Sequence, residues 1–480
     1  MENANKLCQT TNVCSNAKEL CKFSKLCKYG YGIPKKDIIK EEEEKLIKEL
    51  TVCPRNDFQV GTASQNNDDS FCLCLETKKY LYLPKFFGLQ RYGVPDECSI
   101  LEPKPIDLTF KGNLLKEQNA PVAEYLKCAR DPMRMGGILQ LPPGSGKTVM
   151  ALYIICQLKV QTMIIVHKDF LLNQWKERIE QYVPEAKVGL LRQKSVETKG
   201  YDITIASLQS LSMKDYESGT FDDFGLVVID ECHHIAAQVF SKALMKVNFK
   251  YALGLSATVQ RKDGLSKVFK WFIGDIVYKV AKKNSVKCEV DIAIFENNSP
   301  AYLQEHHLFN GKINMARMIN NIASFSPRVE FVVDKLFEIL EEAPTRSVIM
   351  LSDRRQHLED IRSSITLRDA SLGKDTGMYV GGMKHEDLEN SKEKRVILGT
   401  YNMVSEGFDL PRLDTLFLLT SKSDVTQSVG RVQRKHEYTE EDNIPLVVDI
   451  VDKFSVFENQ YKKRLQFYKK MNYTILNPED

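Results

Sequence analysis

No stretch long enough to cross a bilayer is free of charged residues, and the N-terminus, MENANKLCQTTNVC, lacks the apolar core of a secretory leader. No membrane partner is expected. The expected address is intracellular, with reduced cysteines. Charge of one sign is also scarce. Lysine and arginine number 67 against 64 acidic residues, a formal balance of +3. The whole chain therefore has no bulk attraction for nucleic acid, and any basic track must be local. There is no short internal repeat and no long low-complexity tract. The spacing of Cys8, Cys14, Cys21 and Cys27 lacks any Cys-x2-Cys pair. Packing as small hydrophobes on an amphipathic helix is the plainer reading, with zinc as the alternative.

What is present points to several packed domains. A chain of 480 residues exceeds one hydrophobic core. Residues 1–105 read as a small α+β accessory module, in which eight of the 12 cysteines fall. There, IIKEEEEKLIKEL has apolar residues at helical spacing and predicts a helix with a solvated acidic face. FCLCLETKKYLYLPKFFGLQRYG alternates like strand and is expected to break at Pro84 and Gly88. Lys35, Lys36, Lys78, Lys79 and Lys85, with aromatic neighbours, make either a nucleic-acid face or a surface whose stems cover a small core. Pro103 and Pro105 mark a linker.

From residue 112 the pattern changes. MGGILQLP, TMIIVH, YDITIAS, LVVIDE and YALGLSAT are short apolar runs ending in polar or small residues, as buried parallel strands do. A second series follows from residue 283: SVIMLSD, MYVGG, VILGTY, TLFLLTS and PLVVDIV. The expected fold class is α/β, with two tandem doubly wound parallel-sheet domains at 112–282 and 283–455 behind the small α+β module. The segment KFSVFENQYKKRLQFYKKM reads as a basic amphipathic helix packed on the second domain, carrying the tail 456–480.

Two motifs carry chemistry by residue type alone. In LPPGSGKTVMALYII, Pro143, Gly144, Ser145 and Gly146 make a tight loop between a strand and a helix. Backbone N–H groups of such a loop cradle polyphosphate. Lys147 would reach the β- and γ-phosphates, and Thr148 would coordinate Mg²⁺. The GxxxxGK[ST] spacing is not met in full, because Leu141 stands at its first glycine. In LVVIDECHHI, Asp230 would hold Mg²⁺ and Glu231 would activate the attacking water. Zinc is rejected for Cys232, His233 and His234, because adjacent side chains on one turn rarely give a tetrahedral set. His233 is assigned instead to linking the nucleotide site with the neighbouring domain.

GSGKT, DECH, LGLSAT and QSVGRVQR, in that order, resemble a superfamily 2 helicase or translocase of the DExH type over residues 112–455. The resemblance implies RecA-like domains and assigns further roles. Gln118 would read adenine, and Gly407 and Asp409 would approach the nucleotide. Ser256, Ala257 and Thr258 would couple the nucleotide site to the strand. His167, Lys168, Ser207, Ser352 and Thr400 would touch nucleic acid. Arg431 and Arg434 resemble arginine fingers, with Gln427 positioning water or the γ-phosphate. The segment GLSATVQRKDGL is similar to the xeroderma-pigmentosum-group-B-like branch, where Arg261, Lys262 and Asp263 stand in place of Arg-Glu-Asp. Arg261 would then lie against nucleic acid. YGYGIPKKD, LYLPKFFGL and DIVDKFSVFENQYKKR are similar to helicases of large cytoplasmic DNA viruses, the poxvirus transcript-release type with its iridovirus and asfarvirus relatives.

The function expected is an ATP- and Mg²⁺-dependent helicase or translocase, acting on DNA in viral transcript release or in repair. The alternatives are an RNA helicase and a non-catalytic helicase-fold scaffold. A phosphoryl-transfer kinase has no use for the SAT and QxxGRxxR motifs, and a restriction motor would carry further domains. Nucleic acid, a viral RNA polymerase or its transcription factors are the partners implied. A monomer in the host cytoplasm, at viral factories and with packaging in the virion, is the expected setting.

Overall fold

The computed structural model describes residues 23–53, 70–142, 144–231, 237–257, 264–280, 287–405, 408, 410–433 and 442–477. The chain divides into two compact units, Met1–Ala281 and Lys282–Asp480.

The first unit opens with short strands β1 (Lys25–Cys27), β2 (Gly30–Pro34), β3 (Thr51–Val52), β4 (Phe71–Cys72), β5 (Leu75–Glu76), β6 (Tyr80–Leu83) and β7 (Glu97–Cys98). Five of them form a sheet in the order β5-β6-β2-β1-β7, and β3 pairs with β4. The acidic run forms helix Lys40–Leu50, burying Leu46 and Leu50. Its outer face is partly paired: Arg91 binds Glu42 and Glu49, and Lys35 binds Glu43 and Glu76. Lys35 is therefore occupied within the protein. The strand ends at Pro84 as expected, but Gly88 does not break the chain. It lies inside helix Lys85–Tyr92, where a Cβ would stand 2.2 Å from the Tyr31 Cβ. Glycine is needed there for close packing of helix on strand.

The large sheet of this unit comprises β8 (Gly136–Gln140), β9 (Thr162–Val166), β10 (Val188–Arg192), β11 (Ser195–Val196), β12 (Ile203–Ser207), β13 (Leu226–Ile229), β14 (Tyr251–Ser256) and β15 (Ile276–Lys279). Its order is β11-β10-β12-β9-β13-β14-β8-β15, and every pairing but β10 with β11 is parallel. Both faces are covered, which explains the unbroken apolar runs. Met163 and Ile165 enter one core, while Ile164 and Val166 enter the other. The first of these cores also holds Leu26, Ile33, Leu81 and Phe86, so the N-terminal strands share a core with the large sheet.

The second unit has β16 (Glu289–Phe295), β17 (Val348–Ser352), β18 (Thr376–Tyr379), β19 (Val396–Thr400), β20 (Thr415–Leu418), β21 (Leu446–Asp452) and β22 (Thr474–Ile475). They form one parallel sheet in the order β18-β19-β17-β20-β21-β16-β22. Two acids on β21 are buried, and each meets a buried arginine. Arg328, on helix Ser326–Glu342, grips Asp452 with Nε at 2.7 Å and Nη2 at 2.9 Å. Arg464, on helix Ser455–Lys470, reaches Asp449 at 2.8 Å. Buried charges persist only when paired and hydrogen-bonded in this way.

Candidate functional site

All the strands that carry expected site residues in the first unit are parallel. Their C-terminal ends therefore lie along one edge of the sheet, where doubly wound folds bind ligands. The order β12-β9-β13-β14-β8 sets Ser207, His167, Asp230, Ser256 and the glycine loop side by side.

The loop after β8 turns through Gly144 and Gly146, both at φ 78°, and helix Lys147–Leu158 starts at once. Left-handed φ values suit glycine and let successive N–H groups converge. Gln118 lies directly on this turn. Its Nε2 donates to the Ser145 carbonyl at 3.1 Å, and its Oε1 accepts from the Leu115 N–H at 3.0 Å. A Cβ at Gly146 would sit 2.2 Å from that Nε2. Ser145 Oγ is buried with no hydrogen-bond partner among the described residues. That leaves a polar atom in a loop suited to phosphate oxygens. Leu141 N–H donates to the Ser256 carbonyl at 2.9 Å, which ties the start of the loop to the end of β14.

Asp230 and Glu231 follow β13. Lys147 Nζ stands 2.9 Å from Glu231 Oε1, and both side chains are largely buried. Glu231 adopts φ 45°, a left-handed conformation rare for glutamate and frequent at functional turns. Asp230 is only 8% exposed, and the Trp175 indole N–H donates to its Oδ2 at 2.9 Å. Burial, and then the neighbouring Glu231, push the Asp230 carboxyl up to about 6, while Lys147 pulls it down. Thr148 occupies the first turn of the loop helix. A glycine-rich anion cradle, a lysine and two carboxylates thus meet at one sheet edge. This set can bind polyphosphate and polarise a water molecule.

His167 and Lys168 follow β9, and Lys168 caps helix Asp169–Tyr182. Ser256 is fully buried and Ala257 half-buried. Pro143, His233, Thr258 and Arg261 lie outside the described residues.

In the second unit, Ser352 and Thr400 face each other in register on β17 and β19. Thr400 is half-buried, but Ser352 is completely buried. The Ser352 hydroxyl accepts from the Arg354 N–H at 3.1 Å and stands 3.0 Å from His357 Nδ1. In this structure Ser352 holds the turn after β17. Gln427 is half-buried on the short helix Thr426–Val429. Arg431 is 5% exposed, and its Nη1 donates to the Phe408 carbonyl at 2.6 Å. It holds the Phe408 backbone from inside the unit. Gly407, Asp409 and Arg434 lie outside the described residues.

Sequence reasoning missed Trp175. An indole at an apolar helix position gives no sign in the sequence of where its N–H points. The arginines Arg328 and Arg464 were likewise unread.

The profile of the type III restriction enzyme res subunit family matches residues 111–261, the stretch that holds the loop and the acidic pair. A protein of Acanthamoeba polyphaga mimivirus, provisionally named ATP-dependent RNA helicase L396, is 33% identical over 461 residues, covering 94% of this chain and 86% of that protein. The chain belongs to the superfamily 2 helicases. It is an ATP-dependent helicase or translocase, an ATP-hydrolysing enzyme that binds nucleic acid. Invertebrate iridescent virus 6 has a provisionally named helicase 26% identical over 390 residues, covering 78% of this chain and 84% of that one. The DNA 3'-5' translocase XPB2 of Sulfurisphaera tokodaii is 26% identical over 425 residues, covering 79% of this helicase and 92% of its own length.

Proposed function

We propose that this helicase is a DNA-dependent ATP motor of viral transcription, which releases transcripts from the viral RNA polymerase. The observation that carries the motor chemistry is the Lys147–Glu231 pair, set between the glycine loop and the buried Asp230. The viral setting is supported by the mimivirus and iridovirus relatives, and the choice of DNA by the relative named a DNA translocase. Host cytoplasm, virion packaging and a monomeric state belong to the same reading.

The N–H groups at the start of helix Lys147–Leu158 bind the phosphates, aided by the positive end of that helix. An ammonium has three donors, so Lys147 can hold Glu231 through one and phosphate oxygens through the others. Glu231 Oε atoms orient a water and take its proton as it attacks. The Thr148 hydroxyl and Asp230 carboxylate are hard oxygen donors and fit Mg²⁺, which takes few protein ligands and keeps its remaining positions for phosphate and water. When bound, Mg²⁺ neutralises charge on the phosphoryl oxygens. Gln118, fixed to the Ser145 carbonyl, passes adenine recognition to the loop. Arg434 and Gln427 are assigned to phosphoryl charge and water positioning by resemblance. Arg431, bound to the Phe408 carbonyl, is the positioning residue for Phe408.

The test is addition of the protein to stalled complexes of the viral polymerase. Release of RNA that requires ATP and fails with Lys147→Ala is expected. Neither binding to the polymerase nor release would sink the transcription role. The names of the mimivirus and African swine fever virus relatives favour a second reading, an RNA helicase. ATP-driven separation of RNA duplexes, with no stimulation by DNA, would establish it.

A further inference from the structure

We propose that Cys72 and Cys74 form a peroxide-reactive dithiol near the N-terminal end of the first unit, with Cys72 as the attacking thiolate and Cys74 as the resolving thiol. Nothing in the helicase reading requires it, and it stands on local geometry. Leu73, between them, is fully buried, and its N–H donates to the Leu50 carbonyl at 3.0 Å. Beside that anchor Cys72 stays exposed, while Cys74 packs half-buried against the core. Residues 73 and 74 join β4 to β5 and belong to neither strand. The Cys74 N–H donates to Cys72 Sγ at 3.4 Å. Cys72 is exposed, Cys74 is half-buried, and both are free thiols.

Donors aimed at one sulfur stabilise its anion. The Cys74 thiol, and then the Cys74 N–H, bring Cys72 down to about 6 against the effect of burial. Cys74 moves well up, for the same shared hydrogen bond and its own burial. The pair thus separates into a ready nucleophile and a protonated partner. Cα atoms two residues apart lie within about 7 Å of each other, inside the range of a disulfide. A soft metal is the poorer occupant. Two thiols leave a tetrahedral set incomplete, and the described residues contain no group of three or more His, Cys, Asp or Glu able to hold a metal ion.

The chemistry balances with a hydroperoxide as oxidant. The Cys72 thiolate attacks the terminal peroxide oxygen. An S–O bond forms, the O–O bond breaks, and the leaving alkoxide takes a proton to become an alcohol, or water from hydrogen peroxide. Cys74 sulfur then attacks Cys72 sulfur. The S–S bond forms, and the S–O bond breaks with loss of hydroxide, which combines with the Cys74 proton as water. Two thiols are oxidised and one peroxide is reduced.

The test uses the full-length folded protein, equimolar hydrogen peroxide, alkylation of the remaining thiols and tryptic digestion. Peptide 56–78 contains Cys72 and Cys74 and no other cysteine. We expect it to lose two hydrogens while Cys53 and Cys98 stay alkylatable. Cys74→Ser should trap Cys72 as a sulfenic acid captured by dimedone, and Cys72→Ser should abolish the adduct. Alkylation at pH 6 gives a second readout. Cys72 should have about two orders of magnitude more thiolate than glutathione and about one order less nucleophilicity, so it should react about tenfold faster. Alkylation of both cysteines at the glutathione rate, or a disulfide to Cys53 or Cys98 instead, would overturn the proposal.

Discussion

Lys85 gives the sharpest quantitative expectation. It begins helix Lys85–Tyr92 and is 5% exposed, with Nζ donating to the Lys250 carbonyl at 2.7 Å and the Phe249 carbonyl at 3.4 Å. No carboxylate pairs with it among the described residues, and burial depresses its amine from 10.5 to about 7. The unfolded chain therefore keeps a proton between pH 7 and 10.5 that the folded chain has lost. More protons on the unfolded state mean that stability rises with pH across this window. The penalty is complete below pH 7 and vanishes above pH 10.5. One proton corresponds to about 1.4 kcal/mol per pH unit, so the wild type should gain about 2 kcal/mol from pH 7 to pH 9 relative to Lys85→Met. Methionine preserves length and removes the charge, though it leaves two carbonyls without their donor. The difference between pH values cancels that constant cost. Urea unfolding of both proteins at both pH values supplies the numbers, followed by the emission of Trp271, packed edge-on to Phe87 at 5.3 Å. A stability difference that does not change with pH would show that Lys85 stays charged in the fold and would refute the reasoning.

Trp175→Phe keeps the ring and removes the donor to Asp230. A hydrogen bond to a charged group contributes about 1.5–3 kcal/mol, so kcat should fall by about 10- to 100-fold with a higher Mg²⁺ requirement and little change in the KM for ATP. Unchanged Mg²⁺ dependence in a Mg²⁺ titration of ATPase would leave Trp175 a packing residue only. Arg464→Ala strands Asp449 in the core and should cost about 3–5 kcal/mol, read by chemical denaturation of the second unit. Adding Asp449→Asn should recover part of that loss. Gly88→Ala places a methyl group against Tyr31 and should destabilise the first unit by about 1–3 kcal/mol in a thermal melt, despite the better helix propensity of alanine.

The ten apolar runs picked from the sequence all form parallel strands, because a strand covered on both faces has no room for polar alternation. The glycine loop and the acidic pair were legible for a related reason. Their chemistry is local and comes at the end of such strands. What did not show in the sequence depended on distant partners. Gly88 signals a break only until Tyr31 is known to pack on it. Lys85 reads as a surface cation until Phe249 and Lys250 close over it. Arg464 lies on a helix with several other basic residues, and nothing local marks it as the one facing Asp449. The burial of Ser352 and Arg431 is likewise set by side chains and carbonyls that meet only in the folded unit.

The central claim is that Lys147, Asp230 and Glu231 form an ATP-hydrolysing site that answers to nucleic acid. ATP turnover with no polymer, single-stranded DNA, duplex DNA and RNA in turn, for wild type and Glu231→Gln, tests it most directly. The account predicts stimulation by DNA, and a loss of about 10²–10⁴-fold in Glu231→Gln, the scale of removing a general base, with ATP binding retained. Turnover in Glu231→Gln equal to that of the wild type would contradict it.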